Sequence, residues 1–303
     1  MKEQTIDNIT ESVLEQNATC ADPRFKEIME SLIRHLHDFA REVHLTPGEW
    51  IQGIEFLTKV GQTCTPNRQE FILLSDTLGF SSLINLLHDA TRTEEATHTS
   101  NLGPFFREEA PQMKLGDKIV EGDDSREICL YGKVTDVTGK PIANAKMDIW
   151  QASSRGTYDM QENPDQGHMD YRAQFRTDEN GNYWLRTVEP IGYYIPLDGP
   201  VGDMIRAQSR EGARPAHIHY MVSSPGYREL ITAIYFPGQY LESDTVFGAA
   251  GDLVVHVNEN DANAPIKGLP AVHFDLTLAR ESIPSGTGRM GADPSKIAEK
   301  VKA

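Results

Sequence analysis

The chain has 303 residues, 39% of them hydrophobic and 24% charged, with 29 Lys and Arg against 45 Asp and Glu for a net charge of −16. This length suits two ordinary domains or one large one; the apolar content excludes a disordered chain, and the acid excess argues against a nucleic-acid partner, whose phosphates call for clustered cations. No apolar run reaches the length of a membrane span, the polar stretch from Met1 to Ile9 lacks a signal-peptide core, and Cys20, Cys64 and Cys129 form no CxxC pair, so a cytoplasmic protein with reduced thiols is expected.

The first hundred residues read as helices. Asp22-Pro23 offers an N-cap and an N1 proline, and Phe25, Ile28, Met29, Leu32, Leu36, Phe39 and Val43 then recur at steps of three and four, the period of one buried helical face. Thr46-Pro47-Gly48-Glu49 has the form of a capping box and opens a second helix through Trp50, Ile54 and Leu57. Thr65-Pro66 opens a third, predicted to turn Phe71, Leu74 and Leu78 inward and to stop at Gly79. A fourth begins at Ser81 or Ser82 and carries Leu83, Leu86 and Leu87. Four such helices bury only a modest core by themselves, so their apolar faces call for the rest of the chain or a second copy. Residues 1–100 hold 8 Lys and Arg against 16 Asp and Glu, which puts half of the net charge in this third of the chain.

After a polar connector from Thr91 to Ser100 the period changes to two. Ile128, Leu130 and Val134 alternate with polar neighbours, then Met147 and Ile149 do so ahead of Trp150. Thr177 to Tyr183 is a turn with Asn180-Gly181 at its tip, joining two further strands. More strands are predicted at His217–Val222, Leu230–Phe236, Leu253–Val257 and Val272–Leu278. The expected fold is mixed α and β: a helical N-terminal domain over 1–105, an antiparallel β-sandwich over 106–285, and a C-terminal tail over 286–303.

Arg214-Pro215-Ala216-His217-Ile218-His219 is the sharpest local feature. Strand alternation puts His217 and His219 on one face, half of a metal site, while Ile218 points into a core. Without a cysteine pair, the remaining ligands would come from oxygen. Asp198 and Asp203 fall in a Gly/Pro loop, whereas Tyr158 and Tyr193 sit at loop tips beside predicted strands. A phenolate is a hard anionic ligand that favours ferric iron. Taken singly, each of these residues also fits an ordinary structural place, and the remaining histidines are scattered.

The run from Trp150 to Tyr158, the element Pro190-Ile191-Gly192-Tyr193 and the Arg214–His219 segment resemble, in order and spacing, the intradiol ring-cleaving dioxygenases. The segment ahead of Leu102-Gly103-Pro104-Phe105 is similar to the N-terminal part of that family's catechol-type branch. The resemblance implies one Fe(3+) per chain held by Tyr158, Tyr193, His217 and His219. Tyr193 would let go on substrate binding and take a substrate proton, and Arg214 would stabilise negative charge on the ring. It also implies a homodimer through the N-terminal helices, which hold a lipid in related enzymes; the acid excess and the lack of a long apolar run predict no nucleic-acid or membrane partner.

The stretches Ile195–Asp203, Leu241–Gly248 and Phe71–Asp76 resemble the hydroxyquinol 1,2-dioxygenase branch. That branch opens benzene-1,2,4-triol with O2 to 3-hydroxy-cis,cis-muconate, the enol of maleylacetate. By position the ring pocket would be lined by Leu73, Asp76, Asn101, Leu102, Gly103, Pro104, Phe105, Ile195, Pro196 and Val246, with Asp76 accepting a hydrogen bond from the third hydroxyl. Ala233 stands where many family members have Gln. A catechol or substituted-catechol 1,2-dioxygenase is the alternative within the class. An extradiol enzyme and a non-catalytic β-sandwich binding module are the alternatives outside it.

Overall fold

A computed structural model describes residues 3–65, 67–91, 95–162 and 169–281, so Pro66, His168 and the 286–303 tail lie outside the described residues. The chain forms two compact units that divide between Lys59 and Val60.

The first unit holds α1 (Ile9–Asn17), α2 (Pro23–Glu42) and most of α3 (Pro47–Thr63). The α1 helix was not legible in the sequence: only Thr10 and Leu14 of it are buried, too few to set up a period. It packs on α2, where Thr10 Oγ1 meets His37 Nδ1 at 2.9 Å and Arg34 pairs with Glu11 at 3.0 Å. The Asp22 carboxylate caps α2 by accepting from the backbone N–H of Arg24 and Phe25 at 2.9 and 3.0 Å. At the start of α3 the capping box closes both ways: Thr46 N donates to Glu49 Oε2 at 2.9 Å, and Glu49 N donates to Thr46 Oγ1 at 3.3 Å. The apolar stripe of α2, expected to be buried, is open. Phe25, Ile28, Leu32, Leu36, Phe39 and Val43 stay 47–55% exposed, a continuous row larger than a lone soluble chain ordinarily shows water.

The second unit begins with the end of α3, then α4 (Glu70–Thr77) and α5 (Phe80–Ala90). Two expectations are corrected here. Helix α4 starts later than predicted, because Thr65 and Arg68 first close a tight turn. Its inward face is only partly the expected one: Leu74 is buried as predicted, but Phe71 and Leu78 are exposed, and Glu70, Leu73, Asp76 and Thr77 are buried instead. The inward carboxylate of Glu70 is matched by Arg68 at 3.0 Å and by the Val201 backbone N–H at 3.1 Å. Helix α5 likewise buries Ser82 and Asn85 and exposes Leu83, Leu86 and Leu87. Gly79 between them has φ +72°, the left-handed stop that its type suggested.

Among the described residues ten strands and two short helices follow: β1 (Glu127–Asp136), β2 (Lys146–Gln151), α6 (Asp159–Glu162), β3 (Arg172–Arg176), β4 (Asn182–Val188), β5 (Tyr193–Tyr194), α7 (Pro200–Ala207), β6 (Ala213–Arg214), β7 (His217–Ser223), β8 (Leu230–Tyr235), β9 (Ala271–His273) and β10 (Leu276–Leu278). One sheet runs β3-β2-β7-β8, all antiparallel. In the other, β1 pairs antiparallel with β4 but parallel with β9 and β10. Ile128, Leu130 and Val134 from one sheet meet Met147, Ile149, Phe175, Ile218, Tyr220 and Val222 from the other, the alternating inner faces of a sandwich.

The Asn180-Gly181 turn forms, with the Asp178 carboxylate accepting from Asn180 N and Asn182 N at 2.8 and 2.7 Å. It crosses between the sheets rather than making a hairpin, since β3 pairs with β2 and β4 with β1. Leu253–Val257 is not a strand. It holds a 3-10 turn at Gly251–Leu253 and a single bridge from Val254 to Tyr235. Asp203 belongs to helix α7, which Pro200 opens at its first turn, not to a loop. No single helix among the described residues is long and apolar enough to cross a membrane.

Candidate active site

The face of the β3-β2-β7-β8 sheet turned away from the sandwich core carries the chemistry. Strand parity puts Ile218 and Tyr220 in the core and His217 and His219 on the opposite face. Register sets Trp150 of β2 against His219, and the two rings stack at 4.8 Å and 7°. In the β5–β6 pair Tyr193 lies directly across from Arg214. Tyr158 arrives on the loop after β2, and Gly156 lets it come close: with φ +78°, a Cβ there would stand 2.7 Å from Tyr193 Cβ.

Four donor atoms meet as a result. Tyr193 Oη lies 3.4 Å from Tyr158 Oη, Tyr158 Oη lies 3.3 Å from His217 Nε2, and the two Nε2 atoms of His217 and His219 are 3.1 Å apart. All four residues are buried. Donors about 2.0–2.2 Å from a common metal ion stand roughly 2.9–3.5 Å from one another, so the spacing fits.

The hydrogen inventory supports the same reading. His217 Nδ1 donates to Pro215 O at 2.8 Å, which leaves one lone pair on Nε2. Three polar groups crowd that lone pair: Tyr158 Oη, His219 Nε2 and Arg214 Nη1, the last at 3.1 Å. Burial and the Arg214 charge pull the His217 pKa down to about 3, and burial together with His217 holds His219 well below its ordinary value, so both imidazoles are neutral. Burial also pushes the Tyr158 phenol well above its usual range, so it ionises only against a cation. Among the described residues no group of three or more His, Cys, Asp and Glu could hold a metal.

Arg214 is buried and pairs through Nε with Asp244 Oδ1 at 3.3 Å. Burial works against its charge, but the attraction of Asp244 and the nearby tyrosines outweighs this and holds its pKa above the ordinary value. The Asp244 carboxyl is held down in turn: burial would raise it, and Arg214 with the Gly248 N–H overcomes that. A second buried pair, Asp159 with Arg172, braces the tyrosine loop. Arg172 Nε donates to Asp159 Oδ2 at 2.9 Å and Nη1 to Phe105 O at 3.1 Å, while the Phe105 ring stacks on Tyr158 at 4.5 Å.

The other sequence-derived positions fall as follows. Leu73, Asp76, Asn101, Gly103, Phe105, Ile195 and Val246 are buried, and Leu102, Pro104 and Pro196 are partly so. Gly103, with φ +72°, passes within 3.8 Å of the His219 ring, measured from where a Cβ would stand. Burial raises the Asp76 pKa to about 6 against a Ser81 hydrogen bond and the Arg214 charge. Asn101 spends its side chain on the scaffold: Nδ2 donates to Val246 O at 2.9 Å, and Oδ1 accepts from Asn85 Nδ2 at 2.9 Å. Ala233 faces His219 across the β7–β8 ladder. Sequence reading gave no role to Asp159, Arg172, Ser100, Tyr235 or Asp244. Only Asp159, next to Tyr158, carried a local hint. A cavity of about 520 Å³ lined by Phe106, Lys146, Gln174 and Met221 contains none of the converging donors, so chemistry rather than volume places the site.

Comparison with known proteins agrees. The family described as "Dioxygenase" matches residues 102–280, and that described as "Catechol dioxygenase N terminus" matches residues 22–96. The 6-chlorohydroxyquinol 1,2-dioxygenase of Cupriavidus pinatubonensis is 43% identical over 84% of this chain and 92% of its own. The hydroxyquinol 1,2-dioxygenase of a Rhizobium species is 41% identical over 80% of this chain and 83% of its own. The solved structure of hydroxyquinol 1,2-dioxygenase from Pseudomonas putida superposes with a TM-score of 0.82 at 40% identity, covering 91% of this chain and 99% of that one. With this fold and this match along most of its length, the chain belongs to the intradiol ring-cleavage dioxygenases.

Proposed function

We propose that this dioxygenase cleaves hydroxyquinol, benzene-1,2,4-triol, with O2 to 3-hydroxy-cis,cis-muconate and its keto form maleylacetate. The observation that carries the reading is the convergence of Tyr158, Tyr193, His217 and His219 beside a buried Arg214. Two phenolates and two neutral imidazoles suit one ferric ion per chain, leaving it a net positive charge. Tyr158, Tyr193, His217 and His219 would hold that ion, which would supply Lewis-acid activation of a bound diol towards O2.

The protein's own groups do the rest. Tyr193, on a two-strand ladder opposite Arg214, can leave the centre and hold a substrate hydroxyl proton at its Oη. Arg214 Nη1 faces the same point, where its fixed charge favours negative charge on the ring without reorganisation. The stacked Phe105 and Tyr158 rings and the buried Leu73, Ile195 and Val246 keep water from the diol, with Gly103, Leu102, Pro104, Pro196 and the Asn101 scaffold completing the wall.

Asp76 supports the triol over plain catechol. Beyond its Ser81 hydrogen bond, a carboxyl buried in this setting gains a second donor from the third hydroxyl that catechol lacks, a difference of about 1–3 kcal/mol. Relatives named as acting on hydroxyquinols, matched over most of their length, support the same choice.

We assign residues 1–105 to a dimerisation domain and the stretch from 106 onward to the iron-bearing domain. The open α2 stripe supports a homodimer, with a lipid between its helices as the resemblance implies. The unpaired Cys20, Cys64 and Cys129 support a cytoplasmic setting.

The deciding assay compares turnover of hydroxyquinol, catechol and chlorocatechol. Hydroxyquinol is expected to lead in kcat/KM; equal or better turnover of catechol would overturn the substrate, and a yellow semialdehyde product would overturn the cleavage position.

A further inference from the structure

Arg214 is gripped on two sides, and the second grip comes from residues with no assigned role. Tyr235, at the end of β8, sits across from His217 in the ladder, with its ring 5.6 Å from the imidazole. Its Oη is 3.5 Å from Arg214 Nη2 and 2.7 Å from Ser100 Oγ, and Ser100 Oγ is 2.9 Å from Gly248 O.

The hydrogens can be assigned by elimination. A carbonyl only accepts, so the single Ser100 hydrogen goes to Gly248 O. The Tyr235 hydrogen then goes to Ser100 Oγ, which leaves a Tyr235 lone pair facing Arg214. On the other side Asp244 accepts from Arg214 Nε through Oδ1 and from Gly248 N through Oδ2, at 3.3 and 2.9 Å. The two arms therefore close into one circuit at Gly248, whose N–H and C=O hold its two ends. A Cβ on Gly248 would stand 2.6 Å from Tyr235 Oη and 3.3 Å from both Arg214 Nη2 and Ser100 Oγ, so the circuit needs a residue without a side chain there.

We propose that Tyr235, backed by Ser100, is a positioning residue that fixes the Arg214 guanidinium toward the diol. Without the phenol oxygen, Nη2 loses its acceptor, and the favourable alternative is a two-point fork with Asp244, which draws the charge away from the substrate. The inference rests on the reading of Arg214 given above.

The test uses the iron-loaded protein and four variants: Tyr235→Phe, Ser100→Ala, Arg214→Lys, and the Tyr235→Phe/Arg214→Lys pair. Tyr235→Phe is expected to lower kcat on hydroxyquinol about tenfold, with KM, iron content and the visible tyrosinate band unchanged. Ser100→Ala is expected to act in the same direction and more weakly. The double variant should be no slower than Arg214→Lys alone, because Tyr235 then has nothing left to position. A purely structural tyrosine would lower the thermal midpoint and spare kcat, which overturns the proposal, as would losses that multiply in the double variant. If Arg214→Lys keeps full kcat while Tyr235→Phe is slow, the reading of Arg214 falls and the positioning role falls with it. If Arg214→Lys is slow and Tyr235→Phe is not, the positioning role alone falls.

Discussion

Asp76→Asn should make the protein more stable and a poorer hydroxyquinol enzyme. The Asp76 carboxyl is 3% exposed, and burial lifts its pKa from 3.8 to about 6. The folded state thus holds this proton more tightly than the unfolded chain does. Stability falls as pH rises through the interval between those values and levels off above it. The gap is worth about 3 kcal/mol at pH 8 and about 1 kcal/mol at pH 4.5, where much of the cost has not yet been incurred. Asparagine keeps the size, and it can still accept from Ser81, but it carries no charge.

Urea unfolding of both proteins at the two pH values gives the difference directly, because every other titrating group cancels between them. The gain from Asp76→Asn should be about 2 kcal/mol larger at pH 8 than at pH 4.5. Alongside it, the hydroxyquinol-to-catechol ratio of kcat/KM should fall about fivefold, since a neutral amide is a weaker acceptor than a carboxylate. A gain that does not change with pH, or a loss at pH 8, would refute the reasoning.

Three further perturbations test other parts of the account. Gly156→Ala puts a methyl 2.7 Å from Tyr193 Cβ on a left-handed backbone, so bound iron by elemental analysis and the visible band should both drop sharply; full loading would count against the convergence of the two tyrosines. Asp159→Asn breaks a pair in which both side chains are under 4% exposed, and urea unfolding should show a loss of about 3 kcal/mol, whereas an unchanged midpoint would mean the pair braces nothing. Leu36→Glu together with Phe39→Glu puts charge on the open α2 stripe, so sedimentation velocity should show a dimer become a monomer; a wild type that sediments as a monomer would refute the interface.

Features set by neighbouring residues were legible in the sequence. The Asp22 and Thr46 caps, the Gly79 stop and the two-residue alternation that pairs His217 with His219 all follow from local chemistry, and all are found. The inward face of α4 was only partly legible, since Leu74 is buried as expected but Phe71 and Leu78 are not. Glu70, Asp76, Ser82 and Asn85 have partners or tasks inside, and Phe71, Leu83, Leu86 and Leu87 are exposed. Hydrophobic period alone assumes that the apolar side is the inner one, and an unfilled interface reverses that. The parallel pairing of β9 and β10 with β1, and the break of Leu253–Val257, depend on distant partners. The same holds for the grip on Arg214: Ser100 and Tyr235 are 135 residues apart, and only the β7–β8 register and a loop crossing bring them together. The Trp150–Tyr158, Pro190–Tyr193 and Arg214–His219 segments together pointed to the family; the residues that support them had to be seen in three dimensions.

The most direct test of the central claim is the iron content of the purified protein together with its visible spectrum, before and after Tyr158→Phe. The account predicts one ferric ion per chain, a wine-red tyrosinate-to-iron band, and a band that shifts or bleaches in the variant. A protein that stays colourless and iron-free after reconstitution, or a band that Tyr158→Phe leaves untouched, would contradict it.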